Sequence, residues 1–122
     1  MGQGAFRVLV TAAYARRCAI TGERTLSVLE AGHIRPYAKE GPHLVANGIP
    51  LREDLHKLFD DGYLTVTEDL RVEVSRRFKE EFANGREYYR HHGQQLANLP
   101  WAPADQPSAE FIRWHNKFVY VE

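Results

Sequence analysis

Phe6, Leu9, Val10 and Ala13 recur at the i, i+3, i+4 and i+7 spacing that places apolar side chains on one helix face, so residues 5–17 are predicted helical. Arg16 and Arg17 fall at its end, where positive charge suits the helix dipole. Residues 1–4, Met-Gly-Gln-Gly, read as a linker or a cloning scar. Cys18 opens an extended piece that enters a turn at Thr21-Gly22. The apolar and β-branched run over 26–34 predicts a strand that delivers His33 at its end. Residues 35–46, with Pro36, Gly41 and Pro42, predict a loop, and Asn47-Gly48 a turn into a short return strand at Ile49-Pro50-Leu51. Pro50 donates no ladder hydrogen bond and needs an edge or a strand end.

Residues 52–61 follow as a short helix with Leu55, Leu58 and Phe59 inward, and Gly62 stands where a left-handed glycine ends a helix. Period-two alternation over 63–67 and 71–75, around Glu68-Asp69-Leu70, predicts a second hairpin. Ser75 is placed to cap a helix carrying Phe78 and Phe82 and ending near Asn84-Gly85. The proline-punctuated stretch 93–107 predicts irregular chain with Trp101 pinned against the core. Ser108 then caps a last helix on which Phe111, Trp114, His115 and Phe118 share a face. The sum is an α+β chain: a strand, loop, strand, helix core with an N-terminal helix, a second β-hairpin and C-terminal helices.

Composition narrows the setting. With 43% hydrophobic and 26% charged residues among 122, residues 5–122 are expected to form one folded domain. The lone Cys18 excludes an internal disulfide framework and any zinc finger needing two cysteines, and it favours a reducing, cytoplasmic setting. No apolar run is long enough for a bilayer and no signal peptide is visible, so no membrane partner is expected. Sixteen basic residues balance sixteen acidic ones, which argues against a strong non-specific grip on nucleic acid by the domain as a whole. Contact with DNA would need a local patch or another domain.

The polar residues of the core carry the candidate chemistry. His56 and Asp60, four apart on a helix, stand one turn from each other on one face. An imidazole nitrogen and a carboxylate oxygen so placed suit one divalent cation: Zn, Mn, Ni or Mg. His33 is a candidate general base at neutral pH, and Asn47 can bond backbone near it across the loop. For His43, in Gly41-Pro42-His43, lining the site and simple exposure both stay open. His91-His92 is expected on the surface and His115 in the core. Arg76-Arg77 and Lys79 beside Glu80-Glu81 read as an ordinary charged helix face.

The stretch Glu30-Ala31-Gly32-His33-Ile34-Arg35-Pro36, followed by Asn47-Gly48-Ile49-Pro50-Leu51 and Asp54-Leu55-His56-Lys57-Leu58-Phe59-Asp60, resembles the HNH endonuclease family with its ββα-metal fold. His33, Asn47 and His56 stand at the three signature positions, and residues 14–22 with the segments after Asp60 look like the C-terminal HNH domain of bacterial restriction endonucleases. The resemblance implies hydrolysis of DNA phosphodiester bonds. His33 would activate water, Asn47 would position His33, and His56 with Asp60 would hold one divalent metal ion, Mg, Mn, Ni or Zn. Arg35 and Lys57 would touch phosphates. It also implies an N-terminal DNA-recognition domain outside this chain, and a homodimer or sequential nicking for double-strand cleavage. Many members carry Asp or His as a further ligand just before the general base, where Gly32 stands here; Glu30, on the same side of an ideal strand, could substitute. Two other readings are a non-catalytic nucleic-acid-binding or interaction module on the same scaffold, and a metallohydrolase of small phosphodiesters.

Overall fold

The computed structural model describes residues 2–122. Among these residues the α-helices are α1 (Gln3–Ala13), α2 (Glu53–Asp61), α3 (Arg77–Phe82), α4 (Arg86–Tyr89) and α5 (Ala109–Phe118). Four strands, β1 (Leu29–His33), β2 (Gly48–Arg52), β3 (Leu64–Val66) and β4 (Val72–Val74), form two separate antiparallel pairs, β1 with β2 and β3 with β4. This is the expected α+β architecture of a hairpin plus helix, with α1 before it and the second hairpin and further helices after it. Among the described residues no helix is long and apolar enough to cross a membrane.

Phe6 and Val10 seat α1 on the first hairpin, and Tyr14 just beyond it is fully buried. The seat is close at Gly48, where an added Cβ would lie 2.3 Å from Val10 Cγ2 and 2.9 Å from Phe6 Cζ. Gln3 and Gly4, expected as linker, form the first turn of α1, and the helix ends at Ala13, short of Arg17. Ala15 and Arg16 take left-handed φ of 55° and 59°, turning the chain back so that buried Tyr14 and Cys18 enter the same core. Residues 26–28 form a 3-10 turn before β1 begins at Leu29. In the two-stranded ribbon Ala31 faces Pro50, and the Pro50 carbonyl accepts from Ala19 N at 2.8 Å, so the missing proline N–H costs no ladder bond.

Helix α2 buries Leu55 and Phe59 and ends at Gly62, whose φ is +87°. Its start is fixed by Asp54, which accepts from Arg52 at 2.7 and 3.0 Å and from the Tyr88 hydroxyl at 3.0 Å. From α5, His115 Nε2 donates to the Phe59 carbonyl at 2.9 Å while Nδ1 accepts from Thr65 Oγ1 at 2.7 Å. This is the core histidine expected from the helical stripe, and it ties α5 to α2 and β3. Trp101, expected against the core, is 95% exposed. Pro100 and Pro107 turn inward in its place, and Leu96, Phe111 and Ile112 fill the adjoining core. Trp114 and Phe118 lie on the outer flank of the α5 stripe, half-buried and exposed, while Phe111 and His115 are buried. His92 is exposed as expected, yet its Nδ1 accepts from Val74 N at 3.0 Å.

Candidate active site

Beta-sheet registry sets His33 at the last pair of the ribbon, opposite Gly48, one residue before the connecting loop departs. The loop is closed by Asn47. This fully buried side chain accepts from Arg35 N at 2.9 Å through Oδ1, and its Nδ2 donates to the carbonyls of Arg35 and Pro42, each at 2.9 Å. Ile34 N adds a backbone bond to Asn47 O at 2.8 Å. Gly41 packs so tightly against the Arg35 carbonyl that no side chain fits there. The sequence-based expectation that Asn47 bonds backbone beside His33 matches this geometry.

His33 lies flat against Phe6, ring centroids 4.0 Å apart and planes 4° from parallel. Its Nε2 is 2.9 Å from His43 Nδ1, and the His43 ring is stacked on Tyr37 at 4.3 Å. Partial burial, and then the neighbouring His43, push the His33 pKa below the ordinary histidine value, with Asp60 opposing. Both effects favour the neutral form of His33, the state a proton acceptor needs.

His56 projects from α2 into the same cleft, an open space of ≈ 340 Å³ whose lining includes His33, Tyr37, His56 and Asp60. Its Nε2 lies 3.2 Å from Asp60 Oδ2 and its Nδ1 2.7 Å from Glu30 Oε1. The carboxylates of Asp60 and then Glu30 raise the His56 pKa to about 9 against the opposing effect of burial. Glu30 thus meets the nitrogen on the far side of the ring from Asp60. Gly32 explains how the ring fits, because a Cβ there would come within 3.0 Å of His56 Cδ2 and Nε2.

Helical spacing brings His56 and Asp60 together as expected. Two donors on one cation with bonds of about 2.0–2.2 Å stand roughly 3–3.5 Å apart, and the 3.2 Å between Nε2 and Oδ2 falls in that range. The pair therefore fits a two-residue cation site once Nε2 gives up its proton. Among the described residues, no group of three or more His, Cys, Asp or Glu is arranged to hold a metal. Arg35 is engaged within the fold: its Nε donates to Lys39 O at 2.6 Å and its guanidinium lies 5.3 Å over the Trp114 ring. Lys57 is exposed and pairs with Asp61 at 3.4 Å. Neither lines the cleft with His33 and His56.

The sequence left His43 between lining the site and simple exposure and did not pair it with His33; its ring meets His33 Nε2 at 2.9 Å. It offered Glu30 as a substitute ligand for position 32, whereas the packing of α2 on β1 sets the Glu30 carboxylate against the outer nitrogen of His56.

Comparison with known proteins gives a family likeness and a fold likeness. Residues 18–67 match the family model described as HNH endonuclease. A modification dependent TagI restriction endonuclease of known structure has the same fold, with a TM-score of 0.62 over 97% of this chain at 22% identity, and the chain spans 39% of that protein's length. Among curated proteins, none matches the chain. The likeness read from the order of His33, Asn47 and His56 is thus shown over residues 18–67, the segment that contains all of the candidate site residues.

Proposed function

We propose that residues 5–122 act as one HNH-type nuclease domain that hydrolyses DNA phosphodiester bonds with a single divalent cation, Mg, Mn, Ni or Zn. The observation that carries this reading is the meeting, in one open cleft, of His33 with the His56–Asp60 pair. His33 takes a proton from the attacking water through Nδ1, since its Nε2 is turned to His43. Asn47 keeps the base in place by holding the loop closed. His56 Nε2 and Asp60 hold the cation, and Glu30 orients the ring from Nδ1. Bound there, the cation supplies charge stabilisation at the phosphate and the leaving oxygen. Arg35 and Lys57 remain lower-ranked phosphate contacts, because both are engaged in internal pairs.

In this reading the domain is the catalytic part of a restriction or modification-dependent system and works in the cytoplasm. A separate DNA-recognition domain brings it to its target, in keeping with the zero formal net charge, which gives the domain as a whole no strong grip on DNA. Cleavage of both strands uses two copies or successive nicks. A nicking assay on methylated and unmodified plasmid across the four metals tests the proposal: wild type nicks, and His33→Ala and His56→Ala do not. Equal inactivity of wild type and His33→Ala in every metal, with the fold confirmed, would sink it.

A second reading, a non-catalytic nucleic-acid-binding module, is favoured by one feature. Protonated His56 is already satisfied by Glu30 and Asp60 without a metal. Calorimetric titration showing no metal binding at pH 8 would favour that module.

A further inference from the structure

We infer that His43 is a positioning residue for the general base: its Nδ1 accepts the Nε2–H of His33 and fixes the tautomer that leaves His33 Nδ1 free for water. The inference rests on the nuclease reading above and adds to it a residue outside the Asn47, His56 and Asp60 set.

The argument starts from proton count. A neutral imidazole has one donor and one acceptor nitrogen, so two ring nitrogens 2.9 Å apart must share a single proton. If His43 supplied that proton, His33 Nε2 would be the acceptor and its Nδ1 would carry a hydrogen, useless to an attacking water. The productive arrangement puts the hydrogen on His33 Nε2 and the lone pair on His43 Nδ1. Two contacts hold His43 ready for this. Its ring lies on Tyr37 with planes 4° from parallel. The carbonyl of Pro42, in the peptide that enters His43, accepts from Asn47 Nδ2 at 2.9 Å. Asn47 therefore acts on His33 through two routes, the backbone of Arg35 two residues past the strand and the peptide that carries His43. Phe6 covers one face of His33, so its ring plane is already set, and the remaining freedom is which nitrogen bears the hydrogen.

Two substitutions separate the functions of the side chain. His43→Phe keeps an aromatic ring for Tyr37 and removes the acceptor; His43→Asn keeps an oxygen near the Nδ1 position and removes the ring. The full chain, labelled with 15N-histidine and free of metal, is compared by long-range proton–nitrogen NMR at pH 7.5, with folding checked by circular dichroism. In wild type and His43→Asn, His33 is expected as the Nε2–H tautomer; in His43→Phe it becomes a mixture. In nicking assays kcat falls about 10–100-fold in His43→Phe, the range for losing a partner that orients a histidine, with KM unchanged, while His43→Asn stays within about threefold of wild type. An unchanged His33 tautomer in His43→Phe overturns the inference, as does an equal loss of kcat in both folded variants. If wild type nicks nothing yet the tautomer shifts in His43→Phe, the nuclease reading fails and the positioning of His33 by His43 stands.

Discussion

His56 Nδ1 donates to Glu30 Oε1 at 2.7 Å, joining α2 to β1 across the site, while Nε2 of the same ring faces Asp60 at 3.2 Å. A histidine whose pKa is raised by folding adds stability that is complete below its unfolded value of 6.5 and disappears as pH rises through about 9. Because Glu30 and Asp60 are 48% and 53% exposed, solvent screening reduces this to about 1–2 kcal/mol. Metal-free protein should thus lose stability between pH 6.5 and 9. Glu30→Gln should flatten that slope, lower the His56 pKa in NMR titration and weaken metal binding about 10–100-fold by calorimetry. Unchanged metal affinity would remove Glu30 from the site.

Asn47→Asp keeps the acceptor for Arg35 N but replaces both donors to the Arg35 and Pro42 carbonyls with a buried negative oxygen. Loss of two hydrogen bonds at a fully buried position should cost about 2–4 kcal/mol in urea unfolding. Any residual folded protein should have lost nicking by more than tenfold. A variant as stable as wild type contradicts the loop closure described above.

Gly32→Ala tests whether the bare backbone at 32 is needed for the His56 ring. The new methyl would stand 3.0 Å from Cδ2 and Nε2, so the ring must move by a few tenths of an ångström away from its two carboxylates. Metal affinity should drop about tenfold with little change in circular dichroism. Tighter binding would mean that the ring is free to rearrange. The same crowding predicts that Gly32→Asp, despite adding a carboxylate, does not simply restore a third ligand.

On the acid side, burial holds the His115 pKa down at about 4, against 6.5 when unfolded. The unfolded chain then binds the extra proton first, so stability present above pH 6.5 is lost as pH falls toward 4. Between pH 7 and 5 this amounts to about 2 kcal/mol. His115→Gln should cut that pH dependence while costing about 1–3 kcal/mol at pH 7 for its imperfect replacement of the Thr65 and Phe59 bonds. Identical pH slopes for the two proteins would show that His115 is not the group responsible.

Local pattern carried much of the fold. The stripe Leu55, Leu58, Phe59 with Gly62 behind it marks α2, and the alternation around Glu68-Asp69-Leu70 marks the second hairpin. Asn47-Gly48 correctly announced the return strand. Residues whose positions depend on distant packing were less legible. Leu26–Val28 has strand-like composition but forms a 3-10 turn, and Tyr14 ends α1 early because its burial requires the chain to reverse at Ala15 and Arg16. Trp101, expected against the core, is exposed, whereas Pro100 and Pro107 on either side of it are buried. In the site, the i, i+4 spacing was enough to join His56 to Asp60. The Glu30–His56 and His33–His43 contacts link residues 26 and 10 apart, and no periodicity encodes which ring nitrogen each partner meets.

The same Trp101 exposure has a spectroscopic consequence. Trp101 already sits in water when the chain is folded, so its emission changes little on unfolding, while Trp114 lies beneath the Arg35 guanidinium at the edge of the loop closed by Asn47. Trp101→Phe would leave one tryptophan reporting on that loop, and a red shift of its emission in denaturant would time the release of Arg35 separately from the collapse of far-ultraviolet dichroism.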